Sequence, residues 1–217
     1  MVVRHGSPAV GARSRSAART ERSGNPAGRW ATAIVTTGPR NAPAQQGGNV
    51  AAWEIVTRSP VETIAIGNAL GGHLQDGDVV LLHGDLGAGK TTLAKGIAAA
   101  LGVGDVVSSP SFSLVNEYDT ESAVAVSRLF HLDLYRLRSE DDLESIGFDD
   151  LMASADGVML VEWPERAARV LPERFLLIEI ETVGSGHRRL RFVPSPDDDA
   201  WLDRFQRLRS DLALNPT

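Results

Sequence analysis

The feature that most constrains this chain is the segment 84–91, which reads GDLGAGKT and matches the phosphate-loop pattern G-x-x-x-x-G-K-[ST] in full. An apolar run of strand character, 79–83, precedes it, and residues 92–101 follow with apolar side chains at helical spacing. In a strand–loop–helix unit of this kind, backbone N–H groups surround a phosphate at the positive end of the helix. The segment therefore predicts a site for a nucleotide.

Two side chains of the loop have predicted roles beyond those of the backbone. Lys90 can reach the β- and γ-phosphate oxygens, and the hydroxyl of Thr91 can bind Mg²⁺. The residues predicted to contact the nucleotide are Gly84, Asp85, Leu86, Gly87, Ala88, Gly89, Lys90, Thr91 and Thr92.

A nucleotide triphosphatase also needs a carboxylate at the end of a strand beside the phosphate-loop strand. Glu162 ends the apolar run 158–161, and Asp133 lies in a segment whose alternation puts His131, Asp133 and Tyr135 on one face. One carboxylate can hold Mg²⁺ while the other orients the attacking water. The sequence leaves two alternatives open: Glu162 as a solvated strand-end acid, and Asp133 as a partner of Arg136 or a helix cap.

Several nearby side chains have more than one interpretation. Ser111 and Ser113 either line the γ-phosphate or alternate on a half-exposed strand. His131 contacts a phosphate or carboxylate, or is a hydrogen-bonded core residue. Trp163 covers the site, marks a contact surface or lies in the core, and Arg136 and Arg138 either neutralise charge or lie on the surface.

The order of elements predicts an α/β fold: a P-loop NTPase three-layer sandwich with a mixed, mostly parallel central sheet. Residues 51–217 form the ATPase domain, and 1–50, rich in Ala, Arg, Ser, Gly and Pro, are predicted to be disordered. A solvated tail, a transit peptide and a natural start near Val50 are all compatible with that composition. The other predicted elements are strands at Trp53–Thr57, Phe112–Tyr118 and Val124–Tyr135, a helix capped by Ser59–Glu62, short helices on either side of Gly147, a hairpin of Phe175–Glu181 with His187–Phe192, and a helix over 198–210.

Charge and composition exclude several classes of protein. Residues 1–50 hold seven Arg and one Glu, a net +6, so 51–217 carry −12 in a chain of net charge −6. A domain this acidic is a poor candidate for gripping nucleic acid directly. There is no Cys, which excludes disulfides, and no apolar run near 18 residues, which excludes a membrane span.

Missing motifs narrow the NTPase class. The sequence has no Asn-Lys-x-Asp segment for reading guanine, no Leu-Ser-Gly-Gly signature of transporter ATPases and no Arg-dense lid after the loop. These absences argue against a switch GTPase, a transporter ATPase and a typical small-molecule kinase. A small NTPase without a separate substrate domain usually works within a larger assembly.

Four motifs in order resemble the TsaE family (also called YjeE), the small ATPases of bacterial tRNA threonylcarbamoyladenosine synthesis. The resemblance covers about 57–190, and the family usually has Thr at the positions of Ser111 and Ser113. The motifs are Gly84–Thr92, Ser109–Val115, His131–Leu137 and Val161–Glu165.

The resemblance implies ATP and Mg²⁺ as ligands, with Thr91 and Glu162 on the metal, Asp133 needed for hydrolysis and the adenine end near Ser59–Thr63. It also implies a cytoplasmic protein that acts with TsaD-like and TsaB-like partners, which hold the tRNA and modify N6 of adenosine 37. The hydrolysis is then weak alone and stimulated by the partners.

Two other functions stay open from the sequence. In a small-molecule P-loop kinase, Asp133 would act as the base on a substrate hydroxyl. In a nucleotide-dependent interaction module, the bound state and not hydrolysis would be the signal.

Overall fold

The computed structural model describes residues 2–5, 52–121, 124–138, 140–153, 156–195 and 199–214. Within them, eight strands form one sheet in the order β1-β4-β5-β6-β3-β7-β8-β2. Pairs β1–β4, β5–β6, β3–β6 and β3–β7 are parallel, and the other three are antiparallel. The strands are β1 (Val2–His5), β2 (Trp53–Thr57), β3 (Val79–His83), β4 (Val115–Asp119), β5 (Arg128–Asp133), β6 (Val158–Glu162), β7 (Phe175–Thr182) and β8 (Arg188–Ser195).

Helices cover both faces of the sheet, which gives three layers. Cores on the two faces are separate: one joins strand residues such as Val80 to α1, α2 and α5, and the other joins Leu81 to α3 and α4. This confirms the predicted three-layer α/β sandwich with a mixed sheet. The helices are α1 (Pro60–Gly71), α2 (Lys90–Ala100), α3 (Glu140–Ser145), α4 (Phe148–Ala153) and α5 (Asp199–Leu214), with a 3₁₀ turn at Pro164–Ala167.

Helices α1 and α2 pack in contact because each has a glycine where they cross. A β-carbon on Gly96 would lie 2.1 Å from the Ile64 carbonyl oxygen, and one on Gly67 would lie 2.3 Å from that of Leu93. Ser59 caps α1 by accepting from the Glu62 amide, as the sequence predicted. The close contact with α1 therefore fixes α2, and with it the end of the phosphate loop.

Two predicted strands are shorter in the structure. The prediction that Phe112 and Ser113 belong to a strand is wrong, because 111–113 form a turn and β4 begins at Val115. Leu114 has φ 64° and donates its amide to the Pro110 carbonyl, 2.7 Å away, which closes the turn. The segment 124–135 forms a strand only from Arg128 to Asp133.

The prediction of disorder for residues 1–50 lies outside the described residues, except at Val2–His5. Those four residues pair in parallel with β4 at the edge of the sheet, a strand that the sequence analysis did not predict. Ser139, which the sequence predicts as the N-cap of the first of the two short helices, also lies outside the described residues. No helix in the described part of the chain is both long and apolar enough to cross a bilayer.

Candidate nucleotide-binding site

Strand β3 carries the phosphate loop to the edge where β5 and β6 also end. Because β3, β5 and β6 are parallel neighbours, Leu82, Glu162 and Asp133 lie side by side in register. Paired residues of parallel strands point to the same face of the sheet. The two predicted carboxylates therefore lie together beside the loop.

The loop itself has the compact form that its glycines allow. Gly89, immediately before α2, has φ 111°, a conformation that side chains disfavour. Gly84 approaches β7 so closely that a β-carbon on it would lie 2.3 Å from the Ile180 carbonyl oxygen. Ala88 is buried, whereas the Leu86 side chain at the tip is 78% exposed.

Lys90 folds back over the loop that it belongs to. Its Nζ donates to the carbonyl oxygens of Gly84, at 2.7 Å, and Asp85, at 2.9 Å, and it lies 3.8 Å from the centre of the Trp163 ring. Only 4% of the residue is exposed. Burial lowers the pKa of Lys90, although the carboxylates around it, Glu162 first among them, oppose the shift.

Glu162 is a buried carboxylate with two side-chain partners. The Thr91 hydroxyl donates to it, 2.9 Å from Oε1 and 3.2 Å from Oε2. His131 Nε2 lies 3.0 Å from Oε1, and since a carboxylate only accepts, the nitrogen is the donor. His131 is fully buried, and its Nδ1 has no hydrogen-bond partner. The two interpretations of His131 therefore hold together, because it is a hydrogen-bonded core residue whose partner is the Glu162 carboxylate.

Asp133 is held by the segment that precedes β4. The hydroxyls of Ser109 and Ser111 both donate to Oδ2, from Ser111 at 2.7 Å, and the Tyr135 amide donates to Oδ1 at 3.0 Å. Asp133 is 3% exposed. Of the open alternatives for Asp133, a contact with Arg136 is not among the described ones, and the Tyr135 amide that donates to it belongs to a turn and not to a helix.

Trp163 follows Glu162 and forms one wall of the site. It has φ 59°, an unfavourable backbone conformation for a bulky residue and one that is frequent at functional sites. Its ring lies under Lys90 and 4.8 Å from the ring of Tyr135, which is 41% exposed. Trp163 therefore contacts the site through Lys90 and also packs against the core on one face of the sheet.

A second ionisable pair flanks the lysine. His83 is the last residue of β3, and Glu165 lies in the 3₁₀ turn. The distance from His83 Nδ1 to Glu165 Oε2 is 3.1 Å. The hydrogen bond to Glu165 raises the pKa of His83 against the opposing effect of burial. Burial alone would raise the pKa of Glu165, but the hydrogen bond from His83 lowers it. No local pattern in the sequence indicates this contact.

Several predicted residues lie outside this cluster. Ser113 donates to Asn116 and not to Asp133. Arg136 lies 4.0 Å from the centre of the Phe112 ring, and Arg138 is exposed. Thr92 is half-buried in the first turn of α2.

Arg188, the first residue of β8, contacts the phosphate loop, although no sequence pattern indicated it. Its Nε donates to the Ala88 carbonyl oxygen at 2.7 Å and its Nη2 to that of Gly87 at 3.3 Å. No local sequence signal marks this contact, which joins residues about one hundred positions apart.

The residues present fit a magnesium nucleotide. Hydroxyl and carboxylate oxygens are the ligands that Mg²⁺ prefers, and Thr91 already touches Glu162. Among the residues that the structure describes, no three His, Asp or Glu side chains form a metal cage. A magnesium ion held by one or two protein oxygens takes its other ligands from substrate phosphates and water.

Comparisons with known proteins agree on one family. The sequence model of the protein family "Threonylcarbamoyl adenosine biosynthesis protein TsaE" matches residues 57–190 of this chain. The protein named tRNA threonylcarbamoyladenosine biosynthesis protein TsaE in Bacillus subtilis is 40% identical over 141 residues, covering 65% of this chain and 84% of the relative. The protein of that name in Treponema pallidum is 37% identical over 135 residues, covering 62% and 96%.

A solved structure supports the same assignment. The crystal structure of YdiB from Bacillus subtilis is 32% identical, with a TM-score of 0.59, and the match covers 76% of this chain and 95% of that one. Fold, phosphate loop and sequence similarity are thus consistent. The chain belongs to the TsaE family of threonylcarbamoyl adenosine biosynthesis proteins.

Proposed function

We propose that this protein is a Mg²⁺-dependent ATPase required for forming N6-threonylcarbamoyladenosine at position 37 of tRNAs that read codons beginning with A. The observation that carries the ATPase part of the proposal is the contact between the loop hydroxyl of Thr91 and the buried carboxylate of Glu162, and membership of the TsaE family supports the tRNA part. That contact brings together the metal-binding hydroxyl of a phosphate loop and the strand-end acid that a phosphoryl-transfer site needs.

Each side chain then has a defined role. Lys90 leaves the carbonyl oxygens of Gly84 and Asp85 to bind the β- and γ-phosphates, since a phosphate is a stronger partner for an ammonium than a carbonyl. Thr91 and Glu162 hold Mg²⁺, which when bound neutralises charge on the phosphates. His131 fixes the Glu162 carboxylate from the buried side.

Asp133 orients the attacking water. Its Oδ2 is the acceptor of two hydroxyls, from Ser109 and Ser111, and hydroxyl protons rotate at little cost. A water can therefore replace either serine as the donor to Oδ2, and the released hydroxyl can then donate to a phosphate oxygen. We assign Ser111 to the γ-phosphate side of the site for this reason.

The adenine end lies near Ser59–Thr63, at the start of α1. Thr57, just before this segment, is the register partner of Arg188, whose guanidinium contacts the loop carbonyls. The segment before α1 is thus connected to the phosphate loop through Arg188. This connection supports a nucleotide that spans both elements.

Exposed apolar side chains around the site support work with protein partners. Leu86 and Phe112 are 78% and 85% exposed, and each is adjacent in sequence to a residue of the site. We assign the partners as TsaD-like and TsaB-like proteins, which hold the tRNA, so that the acidic ATPase contacts it only indirectly. The complex is assigned to the cytoplasm, and hydrolysis by the chain alone is weak.

Gene replacement tests the proposal. A strain without the gene should lose N6-threonylcarbamoyladenosine from its tRNA digests, and the intact gene should restore it. Glu162→Gln and Asp133→Asn should fail to restore it, whereas the surface variant Glu54→Gln should succeed. Normal nucleoside levels in the deletion strain would refute the pathway assignment. Restoration by both site variants would refute the hydrolytic role.

A further inference from the structure

Arg188 lies outside every motif described above, yet its guanidinium contacts the back of the phosphate loop. It lies on β8, and three of its groups donate to carbonyl oxygens: Nε to Ala88, Nη2 to Gly87 and Nη1 to His187. The planar fork of arginine can make such contacts at several points together, which a lysine cannot. The side chain therefore joins an antiparallel strand to two successive peptide groups of the loop.

The orientation of those peptide groups decides how the loop meets an anion. In a trans peptide the C=O and the following N–H point in opposite directions. When Arg188 holds the Ala88 carbonyl oxygen at 2.7 Å, the amide of Gly89 points away from the guanidinium. A phosphate loop binds its anion through amides that point inward, so the carbonyls that precede those amides must point outward.

The strand beneath Arg188 is firmly fixed, so the contact can constrain the loop. Arg188 pairs in register with Thr57 of β2 on one side and with Thr182 of β7 on the other. Thr57 is buried and shares a hydrogen bond of 2.8 Å with Thr63 of α1. Arg188 begins β8 between two paired strands, so its backbone is held in place while its side chain reaches the loop.

We propose that Arg188 is a positioning residue that holds the Gly87 and Ala88 peptide groups outward and so keeps the loop amides ready for a phosphate. The inference rests on the proposed nucleotide site and adds a residue to it. Arg188 acts through the loop and does not contact the reacting atoms.

The test compares Arg188→Met with Arg189→Met, which removes the same charge from the next residue of β8. Arg189 pairs with Glu181 at 2.7 Å and does not contact the loop. In calorimetric titrations with MgADP, Arg188→Met should weaken binding about tenfold, because the loop amides must then be ordered when the nucleotide binds. Arg188→Lys, which keeps the charge without the fork, should stay at least threefold weaker, and Arg189→Met should match the wild type.

Hydrogen exchange of the nucleotide-free proteins gives a second readout that does not depend on nucleotide binding. The amides of 84–91 should exchange several-fold faster in Arg188→Met than in Arg189→Met, with similar melting temperatures. Equal affinities in the two Met variants, or equal exchange, would overturn the role of Arg188 and leave the ATPase proposal intact. If the wild type bound no nucleotide, the ATPase proposal would fail, and the exchange comparison alone would decide whether Arg188 orders the loop.

Discussion

Replacing His131 by Gln and by Asn measures how strongly the structure holds the Glu162 carboxylate. Gln extends an amide N–H to about the position of Nε2, which lies 3.0 Å from Glu162 Oε1, whereas the shorter Asn cannot reach it. Nδ1 has no partner, so neither replacement breaks a second hydrogen bond of the ring. The two variants therefore differ chiefly in one hydrogen bond to a buried charge.

The expected difference follows from two contributions. Losing a hydrogen bond to a buried carboxylate costs about 1.5–3 kcal/mol. The extra methylene of Gln adds about 0.8 kcal/mol of burial at this fully buried position. We therefore expect the Asn variant to be about 2–4 kcal/mol less stable than the Gln variant, and the methylene alone cannot produce that difference.

Urea unfolding of the nucleotide-free protein provides the assay, with free energies compared at equal slope. His187, in the hairpin turn, offers the matched control: its Gln and Asn variants should differ by less than about 0.5 kcal/mol because its side-chain contact is exposed. A difference at or below about 0.8 kcal/mol at His131 would refute the reasoning, because burial of the methylene would then account for all of it.

Two further predictions concern the frame around the site. Gly96→Ala should lower the free energy of unfolding by about 2 kcal/mol or more, because its β-carbon would overlap the Ile64 carbonyl oxygen. Gly104→Ala should have little effect, because the space around Gly104 is open. Equal urea midpoints for the two variants would contradict this prediction. Glu165→Gln should lower the free energy of unfolding most near pH 5.5. At pH 8.5 the loss should be smaller by about 0.5 kcal/mol. Because the pKa of His83 is raised in the folded protein, its pairing with Glu165 stabilises the fold fully below pH 6.5. That stabilisation is lost as the pH rises through the folded-state pKa of His83. Because the pKa of Glu165 is lowered, the same stabilisation is complete above pH 4.5 and is lost as the pH falls further. A loss of stability in Glu165→Gln that did not change with pH in melting experiments would contradict the pairing.

The parts of the fold that depend on neighbouring residues could be predicted from the sequence. The loop, β3 and α2 follow from a contiguous pattern, and Gly147 separates two short helices where predicted. The meeting of Asp133 with Glu162 was also predictable, because parallel strands end at one edge of the sheet.

Features that depend on distant contacts could not be predicted. The alternation around Ser111 and Ser113 indicated a strand, but Leu114 adopts φ 64° and turns the chain so that Ser111 reaches Asp133. That turn is stabilised by a partner on another strand, which a local pattern does not contain. The contact of Arg188 with the loop likewise arises only once β8 joins the sheet.

The most direct test of the account is the magnesium dependence of nucleotide binding by the purified chain. Calorimetry should show one ATP per chain, bound at least tenfold more tightly with Mg²⁺ than with EDTA, because a carboxylate ligand of the metal contributes roughly 1.4 kcal/mol or more. Glu162→Gln should remove that difference while keeping the metal-free affinity. Absence of ATP binding, or an unchanged magnesium effect in Glu162→Gln, would contradict the assignment of this site.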